Sequence, residues 1–164
     1  MSLIWLTGFS GSGKSTIAEA FHQINKAPIL DGDKVREQLE KGHVHGVEGQ
    51  RQNLEAIITV AKKFLQTNPY IIAAFVSPKK ELRAQIKQEI ESEGYRFILV
   101  HVQASIEACQ RRDPKSLYQR LNLGEDIKLA GINVPYDIPE KPDIICKTEE
   151  MSAEQCAQEI LKQI

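Results

Sequence analysis

Residues 8–15 read GFSGSGKS, three glycines spaced around small residues and then a lysine and a hydroxyl. Gly8, Gly11 and Gly13 let a backbone curl until consecutive amide hydrogens point inward, which makes a cradle for anionic oxygens. An apolar run precedes the motif and a helical pattern follows it, so the partial positive charge of a helix N-terminus falls where phosphates would lie. The pattern matches G-x-x-x-x-G-K-[S/T], in which the lysine reaches the β- and γ-phosphates and the hydroxyl serves Mg²⁺. Here those residues are Lys14 and Ser15, and Ser10, Ser12 and Thr16 belong to the same phosphate-facing run. ATP is the implied ligand, with Mg²⁺ as its ion.

Such a loop is shared by GTPases, motor ATPases and small-molecule kinases. The chain has 164 residues, room for one domain and not for a separate motor unit. It also lacks the Asn-Lys-x-Asp run that selects guanine. A small kinase is the leading class, and its acceptor side is sought at other strand ends. Asp31-Gly32-Asp33 follows a short apolar run. Phosphoryl transfer to a hydroxyl needs one carboxylate to orient the nucleophile and take its proton, and a second acidic group often holds the metal or its waters. Asp31 and Asp33 supply both. Ser77-Pro78 closes another apolar run, so Ser77 is either a cleft residue or a helix N-cap. Among the cations near strand ends or in the later loop are Arg36, Arg51, Arg83, Arg112 and Lys115, with Arg112 assigned to the ATP side.

The elements that must position these groups follow from periodicity. Strands are expected at Leu3–Thr7, Pro28–Leu30, Tyr70–Val76, Phe97–Val102 and Ile144–Cys146. Ile17, Ala20, Phe21 and Ile24 give a first helical stripe, and a helix of about two turns is expected to run on to Glu40. Residues 41–49 read as loop, where His43 and His45 lack further ligands at metal spacing. Leu54, Ile57, Ile58, Ala61 and Leu65 make the next stripe, ending before Asn68-Pro69. Pro78 suits the first turn of a helix carrying Leu82, Ile86 and Ile90. Ser105 is an expected N-cap for a helix reaching Arg112, and Ala153–Ile164 holds the last helix. The result is a single α/β domain, a five-stranded parallel sheet with helices on both faces. Residues 113–142, punctuated by Pro114, Pro135, Pro139 and Pro142, are too many for a passive connector.

Composition narrows the partners. Lysine plus arginine number 21 against 22 acidic residues, for a net charge of -1, so no global basic field exists to hold nucleic acid. The longest apolar run, Tyr70–Val76, is far below the roughly 20 residues that cross a bilayer. Cys109, Cys146 and Cys156 lack both CxxC spacing and an even count, which fits a reduced cytoplasm.

The runs IWLTGFSGSGKSTIA, LDGDKVR, IAAFVSP, RRDPKSLY and AGINVPYDIPEKPDI resemble, in order and across almost the whole chain, the adenylylsulfate kinases. The resemblance implies the P-loop NTPase fold and transfer of the γ-phosphoryl of ATP to the 3′-hydroxyl of adenosine 5′-phosphosulfate. It implies Asp33 nearest the acceptor hydroxyl with Asp31 beside it, Arg36, Asn53 and Val76 on the acceptor nucleotide, and Ser77 as a binding residue at a serine that is phosphorylated in some members. It further implies Lys115 in a mobile lid spanning about 113–135, and a homodimer. Three positions depart from the family pattern. His45 and Leu129 stand where aromatic residues usually enclose the acceptor adenine, and Gln50 stands where an arginine is usual, with Arg51 one residue along. A stacked ring is worth about 1–3 kcal/mol by truncation, so the purine sandwich is weakened. The chemical alternative is the 3′-hydroxyl of another nucleotide conjugate, such as cytidine diphosphoramidate. A non-catalytic nucleotide-binding module would show a damaged lysine, Asp-Gly-Asp or lid, and the sequence shows none of these.

Overall fold

The computed structural model describes residues 1–32 and 47–164, with the side chains of 47–53 excepted. The helix expected up to Glu40, and with it Asp33, Arg36 and His45, lies outside the described residues. Strand β1, Ser2–Thr7, is buried at every position, as a central parallel strand covered on both faces must be. It pairs in parallel with β3, Tyr70–Ala74, on one side and with β4, Arg96–Gln103, on the other. β2, Ile29–Asp31, and β5, Ile144–Lys147, complete the sheet in the order β2-β3-β1-β4-β5.

Alternation along β1 sends Leu3 and Trp5 to one face and Ile4 and Leu6 to the other. Ile4 and Leu6 pack with Ile17, Ala18 and Phe21 of helix α1, Lys14–Asn25, and with Cys156, Ala157 and Ile160 of the last helix. Leu3 and Trp5 pack with Leu54, Ile58 and Leu65 of α2, Val47–Leu65, and with Ile86 and Ile90 of α3, Lys80–Glu91. Two helical layers therefore clamp the sheet, and the three-layer α/β reading holds.

Several boundaries differ from those expected. Ile24 is 49% exposed while Ala18 is fully buried, so the apolar stripe of α1 is rotated slightly from the expected one. Residues 47–49, read as loop because of their glycine, are the first turn of α2. β3 stops at Ala74 rather than Val76. Pro78 lies before the helix, whose N-cap is Lys79 with no side-chain capping bond. Proline fits there because, outside the helix, its missing donor removes no intrahelical bond. Ser105 caps helix α4, Ile106–Arg112, as expected, its hydroxyl accepting from the Ala108 amide at 3.2 Å.

The proline-punctuated segment contains a further helix, α5, Leu117–Asn122, which periodicity did not reveal because it spans only 6 residues. Asp113 holds its start, its carboxylate accepting from the amides of Tyr118 at 3.2 Å and Gln119 at 3.0 Å. Tyr118 and Leu129 then join Ala104 and Cys109 in a third, smaller core. The last helix, α6, Ala153–Gln163, opens on a capping box of Ser152 and Gln155.

Candidate active site

The carboxyl ends of β1, β2 and β3 converge on one edge of the sheet, where open α/β folds place their ligands. Residues 8–13 leave β1 there, and Gly13, at φ 103, hands the chain to α1 with no side chain capping the helix. The first-turn amides of α1 thus receive no acceptor from the N-cap residue, as a helix N-terminus open to an anion requires. Backbone conformation accounts for Gly13, and for Gly11 at φ 79 in part, while close packing accounts for Gly8 and adds to Gly11. A Cβ on Gly8 would fall 2.4 Å from the Val102 carbonyl, and one on Gly11 would fall 2.9 Å from the Cys109 carbonyl. Ser12 is fully buried and its hydroxyl has no protein partner, leaving a polar atom within the cradle that fits an oxygen-rich ligand.

Lys14 is 9% exposed, and its Nζ donates to the Gly8 carbonyl at 3.0 Å and the Phe9 carbonyl at 2.7 Å. Burial, joined by the charge of Lys115 and opposed by Asp31, lowers its pKa to about 8. Beside Lys14, the Ser15 hydroxyl donates to Asp31 Oδ2 at 3.0 Å. A hydroxyl and a carboxylate side by side are the hard oxygen donors that Mg²⁺ takes from a protein, its remaining positions being filled by phosphates and water. The pair expected to serve the metal is therefore in contact, and its chemistry fits the ion.

Arg112 lies against the loop. It donates to the Thr148 hydroxyl and carbonyl, each at 2.9 Å, and approaches the Gly11 and Ser12 carbonyls at 3.4 Å. Thr148 in turn donates from its hydroxyl to the Ser12 carbonyl at 2.8 Å. Sequence reading missed Thr148, although its place just after β5 on the ligand edge was a usable signal. Tyr118 was missed too. Its hydroxyl donates to the Ser10 carbonyl at 2.9 Å, and burial pushes its pKa up to about 12, so it remains a donor. Ser10 is half-buried and Thr16 exposed.

On the acceptor side, Ser77 is 5% exposed with φ 44, and its hydroxyl accepts from the Trp5 indole N–H at 3.0 Å. The N-cap reading of Ser77 is thus replaced by that of a buried turn residue. The Val76 carbonyl accepts from Thr7 Oγ1 at 2.6 Å. Gln50, Arg51 and Asn53 lie in the first two turns of α2, where Gln50 and Arg51 fall about 100° apart around the axis. Leu129 is only 4% exposed, in the third core beside Tyr118 and Cys109. It packs inward there rather than forming an open wall.

The chain matches the sequence model described as adenylylsulphate kinase over residues 1–147. An adenylyl-sulfate kinase of Bacillus licheniformis is 39% identical, with 99% of this chain and 84% of that protein covered. One from Staphylococcus epidermidis is 37% identical over 98% of this chain and 82% of its own length. Among solved structures, the Mycobacterium tuberculosis APS kinase in complex with AMPPNP and APS superposes with a TM-score of 0.87. It is 30% identical, and the match covers 99% of this chain and 96% of that one. Sequence likeness along nearly the whole length and a shared fold lead to one conclusion: the chain belongs to the adenylylsulfate kinase family.

Proposed function

We propose that the protein transfers the γ-phosphoryl group of ATP to the ribose 3′-hydroxyl of adenosine 5′-phosphosulfate. The observation that carries this is the contact of Ser15 with Asp31 beside Lys14, at the sheet edge of a chain in this family. The loop amides and Lys14 hold the β- and γ-phosphates and meet the charge that develops on the transferred group. Ser15 and Asp31 would hold Mg²⁺, which when bound neutralises phosphate charge. Asp33 is assigned to orient the acceptor hydroxyl and take its proton, so transfer is direct and in line, with no covalent step at Ser77. Arg36, Asn53, Val76, Ser77 and Lys115 are assigned to the acceptor, with His45, Gln50, Arg51 and Leu129 setting how tightly its base and anion are held.

Residues 113–135 act as a lid in this reading. Their attachment to the loop through Tyr118 and Ser10 supports a role in keeping water from the phosphoryl group. Homodimer assembly and a cytoplasmic site of action complete the proposal. Among the described residues no helix is long and apolar enough to cross a membrane, and all three cysteines are free and buried.

Coupled kinase kinetics with adenylyl sulfate and a cytidylyl conjugate at matched concentrations test the assignment. Adenylyl sulfate is expected to give the higher kcat/KM and a 3′-phosphorylated product. A preference for the cytidylyl compound, or ATP consumption without sugar phosphorylation, overturns it.

The lysine adds a pH signature. The pKa of Lys14 is depressed by burial, so the charged form is lost as pH rises through about 8, whereas an unfolded lysine keeps its proton to about 10.4. Two consequences of opposite sign follow. Between those values the unfolded chain binds the extra proton, so this group's contribution to stability rises with pH. Over the same range the free enzyme loses the charge that meets ATP, so kcat/KM for ATP is expected to fall from about pH 8 upward. A profile flat to pH 10 would remove Lys14 from phosphate binding.

A further inference from the structure

Arg83 is 5% exposed on the buried side of α3, on the same stripe as Ile86 and Ile90. A charge on an apolar stripe is costly unless its donors are used. Here one guanidinium nitrogen donates to the Ser77 carbonyl and another to the Asp137 carbonyl, both at 2.6 Å. The group also lies 5.8 Å from the ring centre of Tyr136, close enough for a cation–π attraction. His101, half-buried nearby, is held below the usual histidine pKa by burial and then by the charge of Arg83.

The same two stretches of chain are joined further. The Asp137 amide donates to the Pro78 carbonyl at 2.8 Å, and its carboxylate accepts from the Lys80 amide at 3.0 Å, supplying the cap that Lys79 does not. Tyr136 shares a 3.0 Å hydrogen bond with Thr7 and packs 4.9 Å from Phe9 of the phosphate loop. At the centre of this clasp is Ser77, a non-glycine residue at φ 44. Such a conformation is unfavourable for L-residues and persists where surrounding contacts over-determine it. Trp5, itself stacked on Phe75 at 4.7 Å, holds the Ser77 hydroxyl, while Arg83 holds its carbonyl.

We infer that Arg83 is a positioning residue: it clamps the turn after β3 to Asp137 and thereby keeps Ser77 in its left-handed conformation at the acceptor side of the cleft. The inference rests on the assignment of Val76 and Ser77 to the acceptor. Lysine cannot reproduce it, because a point charge on a flexible stem does not bridge two carbonyls from one plane.

The test is a cycle of variants. Arg83→Met in the Ser77→Ala background, which keeps a Cβ at the strained position, is expected to lower kcat/KM for the acceptor by about ten- to hundredfold. In the Ser77→Gly background the loss should shrink by about fivefold or more, since glycine adopts positive φ without a Cβ penalty. KM for ATP should change by less than about threefold throughout, and Arg83→Lys should fail to rescue. Equal losses in the two backgrounds, or an equal rise in both KM values, would overturn the inference. Amide hydrogen exchange at Lys80 and Asp137 gives a readout independent of turnover. It should accelerate in Arg83→Met and in Arg83→Lys while β1 and α1 stay protected, and unchanged exchange at those two amides sinks the clasp. If the wild-type protein phosphorylates no adenylyl sulfate, the functional proposal fails, and the exchange result decides the clasp by itself.

Discussion

Replacing Lys14 by alanine should cut turnover by at least about a hundredfold, the usual cost of deleting one preorganised donor aimed at developing charge. The structure makes the effect sharper than for a surface lysine. Nζ sits among loop carbonyls and is nearly buried, so its charge acts in a medium far less screening than water. The loss should appear in kcat as well as in ATP affinity, because charge moves onto the transferred group as the bond to ADP breaks. Steady-state kinetics with circular dichroism as a folding control measure it. Turnover within about fivefold of wild type would remove the lysine from the reaction.

The second large effect separates two carboxylates that sequence alone leaves interchangeable. Asp31→Asn should weaken Mg²⁺-dependent ATP binding, since its carboxylate is the partner of the Ser15 hydroxyl, and raising Mg²⁺ should restore part of the activity. Asp33→Asn should instead leave ATP and Mg²⁺ binding near normal and depress transfer by about 10²- to 10⁴-fold, the range ascribed to a positioned general base. Isothermal titration with a non-hydrolysable ATP analogue, run beside turnover assays, distinguishes them. If Asp33→Asn abolished nucleotide binding while Asp31→Asn lost only transfer, the two roles would be exchanged.

The glycine-rich turn between β1 and α1 was legible because its signal is contiguous. Eight consecutive residues between a strand and a helix carry the glycines, the lysine and the hydroxyl, and the bonds from Lys14 to the Gly8 and Phe9 carbonyls are local ones. Strand and helix order was legible for a similar reason, as fully buried strands read as apolar runs and covered helices as stripes. What escaped depends on distant pairings. Thr148 meets the loop only after the chain has crossed the sheet, and Arg83 looks like a surface cation until its stripe is noticed. Sequence alone left Ser77 between a cleft residue and a cap, because capping is a local habit of serine and the tryptophan that claims its hydroxyl stands 72 residues away. Helix α5 was missed since a stretch of 6 residues is too short to display a period.

The bond from Thr148 to the Ser12 carbonyl spans 136 positions along the chain. The loop after β1 is therefore stitched to a residue that follows β5, and a nascent polypeptide halted before β5 lacks one wall of it. In the proposed function, triphosphate capture thus doubles as a report that the far edge of the sheet has docked. Binding energy gained there tightens β1 and β5 together, so occupancy should protect β5 from proteases as strongly as β1.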